Sequence, residues 1–124
     1  MISGHSQSVP SRPVGPCGVI EHDDEYREAD VDLSVYCPVA PGTRAEGPLV
    51  VLQLPERDCL VAHVIGPYTQ ISQAHDLIVQ RMEAEGLAAR QDGTLASNVF
   101  NRYLVTPDQA APEDLVTEVC RPLA

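Results

Sequence analysis

A strand pair that occurs twice constrains this chain more than any other feature. Leu33-Ser34-Val35-Tyr36-Cys37, followed by Pro38-Val39-Ala40, resembles Val116-Thr117-Glu118-Val119-Cys120, followed by Arg121-Pro122-Leu123-Ala124. The offset is 83 residues, with one residue inserted after the second cysteine. The same offset sets Cys17-Gly18-Val19-Ile20 against Phe100-Asn101-Arg102-Tyr103. Each copy reads as strand, about a dozen residues, strand. A further strand and a helix, roughly Asp58 to Leu87, precede the second copy; the first copy's equivalent would fall before Met1. The expected fold is therefore α+β. An antiparallel sheet carries a flanking helix and is built from duplicated strand-helix-strand-strand modules, with the first strand and helix of the first module missing. Duplication of this kind usually packs two modules about a pseudo-twofold axis, with a groove between them.

Hydrophobic periodicity supplies the elements. Val31, Leu33, Val35 and Cys37 alternate with Asp32, Ser34 and Tyr36, the period-two signature of a half-buried strand. Cys17 to His22 is a short apolar strand, joined to it by the acidic connection Asp23 to Asp30. Leu49 to Leu54 and Cys59 to Ile65 flank the turn-forming residues Pro55-Glu56-Arg57-Asp58, which predicts an antiparallel pair. A helix is expected from about Thr69 to Glu85. Ile71, Ala74, His75, Ile78 and Met82 form one apolar stripe along it, and Gly86 stands where a C-terminal cap belongs. Ser97 to Val105 and Leu115 to Arg121 are the last two strands. On the first of them Asn101 and Tyr103 share a face, opposite Phe100, Arg102 and Leu104. Residues 1–13 read as linker or disordered sequence, which leaves 14–124 as a single domain.

Charge and composition exclude several functions. The net charge is −10, and all eight basic residues are arginine. Without lysine there is no Schiff-base or P-loop chemistry, and a domain this acidic repels a phosphate backbone. No apolar run is long enough to span a membrane, and Met1 to Pro16 lacks the layout of a signal peptide, so the expected location is cytoplasmic. In that compartment Cys17, Cys37, Cys59 and Cys120 read as small buried hydrophobes. The four histidines show no ligand spacing, and neither metal nor cofactor is expected. His75, on the helix's apolar stripe, reads as a hydrogen-bonded core residue.

The ordered text of the chain resembles a known family. Leu54-Pro55, then His63-Val64-Ile65-Gly66-Pro67-Tyr68, a helix, Tyr103-Leu104, Thr106-Pro107, Thr117-Glu118-Val119 and Pro122-Leu123 resemble the GyrI-like effector-binding domains. Val14-Gly15-Pro16 and Asp30-Val31-Asp32 through Pro38-Val39 look like the same motifs in the first module. This family includes the C-terminal drug-sensing domains of MerR-type and AraC-type bacterial activators. The resemblance implies a concave sheet whose helices flank a groove for planar apolar or cationic molecules stacked on aromatics. It also implies roles in multidrug sensing and transcription regulation. The family's groove glutamate falls at Asn101, beside Tyr103. An amide hydrogen-bonds a ligand but does not neutralise its charge.

The candidate ligand-binding residues are therefore Asn101, Tyr103, Tyr36, Tyr68 and Glu118. The tyrosines offer stacking faces with a polar tip. Glu118 would replace the carboxylate lost at Asn101 if it faces the groove. The expected function is a non-catalytic regulatory domain that binds a small molecule. Two alternatives share the fold: a hydrolase of reactive small-molecule toxins, which Asn101 weakens because an amide is no general base, and a protein-interaction module of gyrase-inhibitor type. A homodimer or a partner chain that completes the sheet is the expected assembly.

Overall fold

The computed structural model describes residues 15–22, 32–44, 46–54 and 56–124. Five strands form one antiparallel sheet: β1 (Gly18–Glu21), β2 (Leu33–Tyr36), β3 (Cys59–Ile65), β4 (Phe100–Val105) and β5 (Val116–Pro122). Their order across the sheet is β2-β1-β4-β5-β3. One helix, α1 (Ile71–Glu85), follows β3 through a single 3-10 turn at Tyr68–Gln70. This is the α+β arrangement expected from the sequence. Residues 1–13 and most of the acidic connection between β1 and β2 lie outside the described residues.

The helix forms where the apolar stripe predicts. Ile71, Ala74 and Ile78 are buried, and they meet Val64 of β3 and Val119 of β5 in a single cluster. Leu60, Ala62, Met82 and Val99 pack around that cluster. Gly86 ends α1 with φ 66°, and its N–H turns back to the carbonyls of Glu83 and Met82. A left-handed residue at this position is favourable only without a Cβ.

Register fixes which side chains share the helix side of the sheet. Val119 lies opposite Asn101 and Ala62 on its two neighbours, and Thr117 lies opposite Tyr103. Val19 lies opposite both Asn101 and Val35. Directly opposed residues point the same way. The helix side therefore carries Asn101, Tyr103, Val19, Glu21, Leu33 and Val35 as well as the core. The other side carries Phe100, Arg102, Glu118, Cys120, Ile20 and Tyr36.

Three sequence expectations change. First, Leu49 to Leu54 forms no strand and does not pair with β3; it stays irregular, with Val50 76% exposed. All seven residues of β3 pair instead with β5, while Leu52, Gln53 and Leu54 turn toward Arg90, Thr94, Leu95 and Ala96. Second, Cys17 and Cys37 form a disulfide, so they are not separate buried thiols. They flank the Gly18–Tyr36 pair at the narrow spacing of opposed residues, 4.2 Å between Cα atoms. Cys120 alone fits the original reading: it is buried and free, while Cys59 is free and partly exposed. Third, the repeat offset does not preserve facing. Val35 points to the helix side, whereas Glu118, its counterpart 83 residues on, points away. Facing on each strand is set by its pairing register with its neighbours, which textual similarity does not carry.

Candidate functional site

The helix side of β1 and β4, beside the N-terminal end of α1, carries Asn101, Tyr103 and Glu21, with Tyr68 and His75 close by. Gly66-Pro67 ends β3, and the 3-10 turn that follows brings Tyr68 over β4. There its ring meets that of Tyr103, with centroids 5.4 Å apart and planes tilted by 57°. Tilted pairs of this kind satisfy the ring quadrupoles. Tyr68 is 39% exposed, and burial raises its hydroxyl pKa.

Asn101 sits two residues before Tyr103 on the same face and is 4% exposed. Its side-chain Oδ1 is buried and has no hydrogen-bond partner among the described residues. Thr117 Oγ1, opposite Tyr103 on β5, is in the same condition. Leaving a buried acceptor unmet typically costs about 1–3 kcal/mol, so such groups need an explanation. The Tyr103 hydroxyl is raised by burial, lowered by a hydrogen bond with the Asn101 side chain, and raised again by the Glu21 carboxylate.

Glu21 and His75 form the far end of this row. Glu21 ends β1, and its carboxylate lies 3.5 Å from His75 Nε2 on α1, with both side chains largely buried. Burial, with Arg121 adding to it, pushes the imidazole down to about 4, so it is neutral at pH 7. Burial outweighs the opposing pull of the Asp76 carboxylate. His75 is thus a partly buried polar residue of the helix stripe, paired across the sheet. Glu21 was missed as a site residue because it heads the acidic connection and reads as solvated there. Its face becomes visible only once β1 is registered against β4.

Of the residues proposed from sequence, the structure brings Asn101, Tyr103 and Tyr68 together and sets Tyr36 and Glu118 on the opposite side of the sheet. The Tyr36 side chain crosses over Gly18, and its hydroxyl donates to the Asn101 backbone carbonyl at 3.0 Å. A Cβ on Gly18 would collide with that carbonyl oxygen. Burial pushes the Tyr36 hydroxyl up to about 12. Glu118 binds Arg102 at 3.2 Å and approaches His63 at 3.6 Å. Both partners lie on the side away from the helix, where Arg57 also stacks over Phe100 at 4.6 Å. Among the described residues no cluster of histidine, cysteine and carboxylate side chains could hold a metal ion. None of their helices is long and apolar enough to cross a membrane.

No protein-family model matches this sequence, and no curated protein matches it. Solved structures do. The C-terminal domain of EcmrR superposes with a TM-score of 0.85 at 19% identity, over 96% of this chain and 74% of that one. EcmrR within its DNA complex gives 0.83 at 19% identity, covering 94% of this chain and 43% of that one. A hydrolase from Listeria innocua is more distant, with a TM-score of 0.51 at 16% identity over 89% and 62% of the two chains. The chain thus has the fold of the EcmrR C-terminal domain.

Proposed function

We propose that residues 14–124 are the effector-binding domain of a bacterial transcription regulator of the GyrI-like kind. In this reading the domain takes a planar apolar or cationic small molecule on the shelf formed by Tyr68, Tyr103 and Asn101. The observation that carries the proposal is the buried Asn101 Oδ1, which has no hydrogen-bond partner among the described residues and shares a strand face with Tyr103 of the aromatic pair. A ligand with a donor group at its edge meets that acceptor while its ring stacks on tyrosine. The likeness to the C-terminal domain of EcmrR supports a regulatory role, and multidrug sensing is the finer reading of it.

The domain is proposed to act on transcription without touching DNA. EcmrR is known in a DNA complex, but this chain spans 43% of that protein, and its own charge of −10 opposes a phosphate backbone. Binding without catalysis is the first reading, since the likeness is to the C-terminal domain of EcmrR. The hydrolase likeness at a TM-score of 0.51 keeps hydrolysis as the second reading, with Glu21 as the carboxylate nearest Tyr103. A cytoplasmic location suits a regulator, and it sets the Cys17–Cys37 bond against a reducing environment. Among the described residues β2 has one neighbour, and a second copy or another chain is proposed to complete the sheet there.

Titration of planar dyes, one cationic and one neutral but otherwise matched, tests the reading. Tyr103→Ala removes half of the aromatic pair and should weaken dye binding by about 1 kcal/mol or more. Tyr68→Ala should act in the same direction. Glu118→Gln, on the other side of the sheet, should leave affinity unchanged. Dye binding that responds to Glu118→Gln and ignores Tyr103→Ala would place the ligand on the wrong face for this proposal.

A further inference from the structure

The Cys17–Cys37 bond lies next to the backbone that carries Asn101 and Tyr103. Cys17 immediately precedes β1, and its carbonyl accepts the Tyr103 N–H at 3.0 Å. Cys37 immediately follows Tyr36, whose hydroxyl donates to the Asn101 carbonyl at 3.0 Å. Both cysteines are partly exposed, within reach of a small thiol. We propose that Cys17–Cys37 is a reversible redox switch on the Asn101–Tyr103 shelf, opened by a low-molecular-weight thiol and closed by the matching disulfide. The switch presupposes the ligand shelf of Tyr68, Tyr103 and Asn101.

A switch differs from a staple in that the rest of the fold stands without the bond. The buried cluster of α1, β3 and β5 contains no residue of β1 or β2. Among the described residues β2 pairs with β1 alone, over four residues, and Leu33, Ser34 and Val35 are exposed. Little burial therefore holds β2 once the bond opens. The far end of β1 is tied to β4 independently. There the Glu21 N–H donates to the Val99 carbonyl at 2.9 Å, and the Asn98 amide donates to the Glu21 carbonyl at 2.7 Å. Opening thus loosens the Cys17 end, where Tyr103 is held, and leaves the Glu21 end in place. The chemistry is exchange. A thiolate of the reductant attacks one sulfur and displaces the other as a thiolate, which takes up a proton. A second reductant thiol resolves the mixed disulfide, so both cysteines end as thiols and the reductant as its own disulfide. Closure runs the same steps in reverse.

Glutathione buffers of graded reduced-to-oxidised ratio, applied to the 124-residue chain, test the switch. Mass spectrometry after alkylation reads the bond, and hydrogen exchange by NMR reads the Tyr103 N–H. The bond should open within the range of the buffers. Exchange at Tyr103 should then quicken by about tenfold or more, while Cys59–Ile65 stays protected. A bond that stays closed in reduced glutathione alone is a static crosslink and overturns the proposal. So does equal loss of protection in Cys59–Ile65, which makes the bond a staple of the whole fold, and so does unchanged exchange at Tyr103 in the open form. A variant carrying both Cys17→Ser and Cys37→Ser should match the reduced parent at every ratio; a variant that still responds like the parent shows that other thiols are responsible and overturns the assignment. If that variant does not fold, the reduced parent decides. A planar cationic dye, acridine orange, should bind the open form about fivefold or more weakly than the closed form. Equal affinities for the two forms overturn the switch. Dye binding to neither form counts against the ligand shelf, and exchange at Tyr103 alone then decides whether the bond controls that backbone.

Discussion

The two halves of the sheet carry the same strand pattern and reach opposite outcomes. On β3 and β5 the helix-side residues Val64 and Val119 are 8 and 0% exposed, sealed by α1. On β2 the helix-side residues Leu33 and Val35 are almost two-fifths exposed. Period-two alternation specifies which side of a strand is apolar, but not whether anything covers it. Cover comes from a second layer, and among the described residues only one helix supplies it. The covered half is held by burial. The open half is held by its pairing to β4, by the Cys17–Cys37 bond and by the Tyr36 hydroxyl.

The sharpest way to break this contrast is a matched pair of truncations. Ile78→Ala opens a cavity in the sealed cluster and should cost about 2–5 kcal/mol, because the surrounding side chains collapse only in part. Val35→Ala removes surface that is already wet and should cost under about 1 kcal/mol. Urea unfolding gives both values. Comparable losses at the two sites would mean that the open half is covered in solution.

The disulfide gives the second test. Cys17 and Cys37 are separated by 20 residues, and closing a loop of that size typically stabilises a fold by about 3 kcal/mol, mainly by restricting the unfolded chain. Cys37→Ser, or reductant added to the parent, should lower the unfolding midpoint accordingly. Hydrogen exchange should rise first at Gly18–Glu21 and Leu33–Tyr36, leaving Cys59–Ile65 protected. A uniform loss across the sheet would show that the two halves do not open separately.

Acid should act on the covered half through His75. Its imidazole is held down to about 4 in the fold, against about 6.5 in an unfolded chain. Below pH 6.5 the unfolded state gains a proton that the folded state refuses. Stability present at neutral pH is therefore lost as pH falls from 6.5 toward 4. By pH 5 the loss is about 2 kcal/mol from this group alone. His75→Gln should flatten that part of the stability profile. An unchanged slope would mean that the imidazole is solvated and that the Glu21–His75 contact does not form.

Much of this was legible in the chain, and the failures have physical causes. The helix stripe, its glycine cap and the shared face of Asn101 and Tyr103 follow from periods of 3.6 and 2, which are local properties. Tyr36 is a candidate as a stacking tyrosine, and Glu118 as a replacement carboxylate on the condition that it faces the groove. Facing depends on the register of each strand with its neighbours, a long-range property that residue type does not encode. The Cys17–Cys37 bond needed the register of β1 against β2, a long-range fact. Leu49–Leu54 has every local mark of a strand, and only the occupancy of β3 by β5 shows that its predicted partner is taken.

The smallest expected effect concerns the Tyr36 hydroxyl, which ties the open edge to the centre of the sheet. It donates to the Asn101 carbonyl at 3.0 Å in a partly buried setting. Tyr36→Phe should cost about 1 kcal/mol at neutral pH, the usual net value of such a bond. The pH dependence of that cost makes the assignment specific. Burial raises the folded-state value from 10 to about 12, so between those limits the unfolded chain loses a proton that the folded one keeps. Stability is drained from the parent as pH rises from 10 toward 12, and the phenylalanine variant escapes that drain. Tyr68 and Tyr103 titrate in both proteins and cancel in the difference. The parent's advantage should therefore be constant up to about pH 10, then shrink and reverse. A difference that stays flat through pH 11 would mean that the Tyr36 hydroxyl is solvated, and β2 would then be held by its ladder and its disulfide alone.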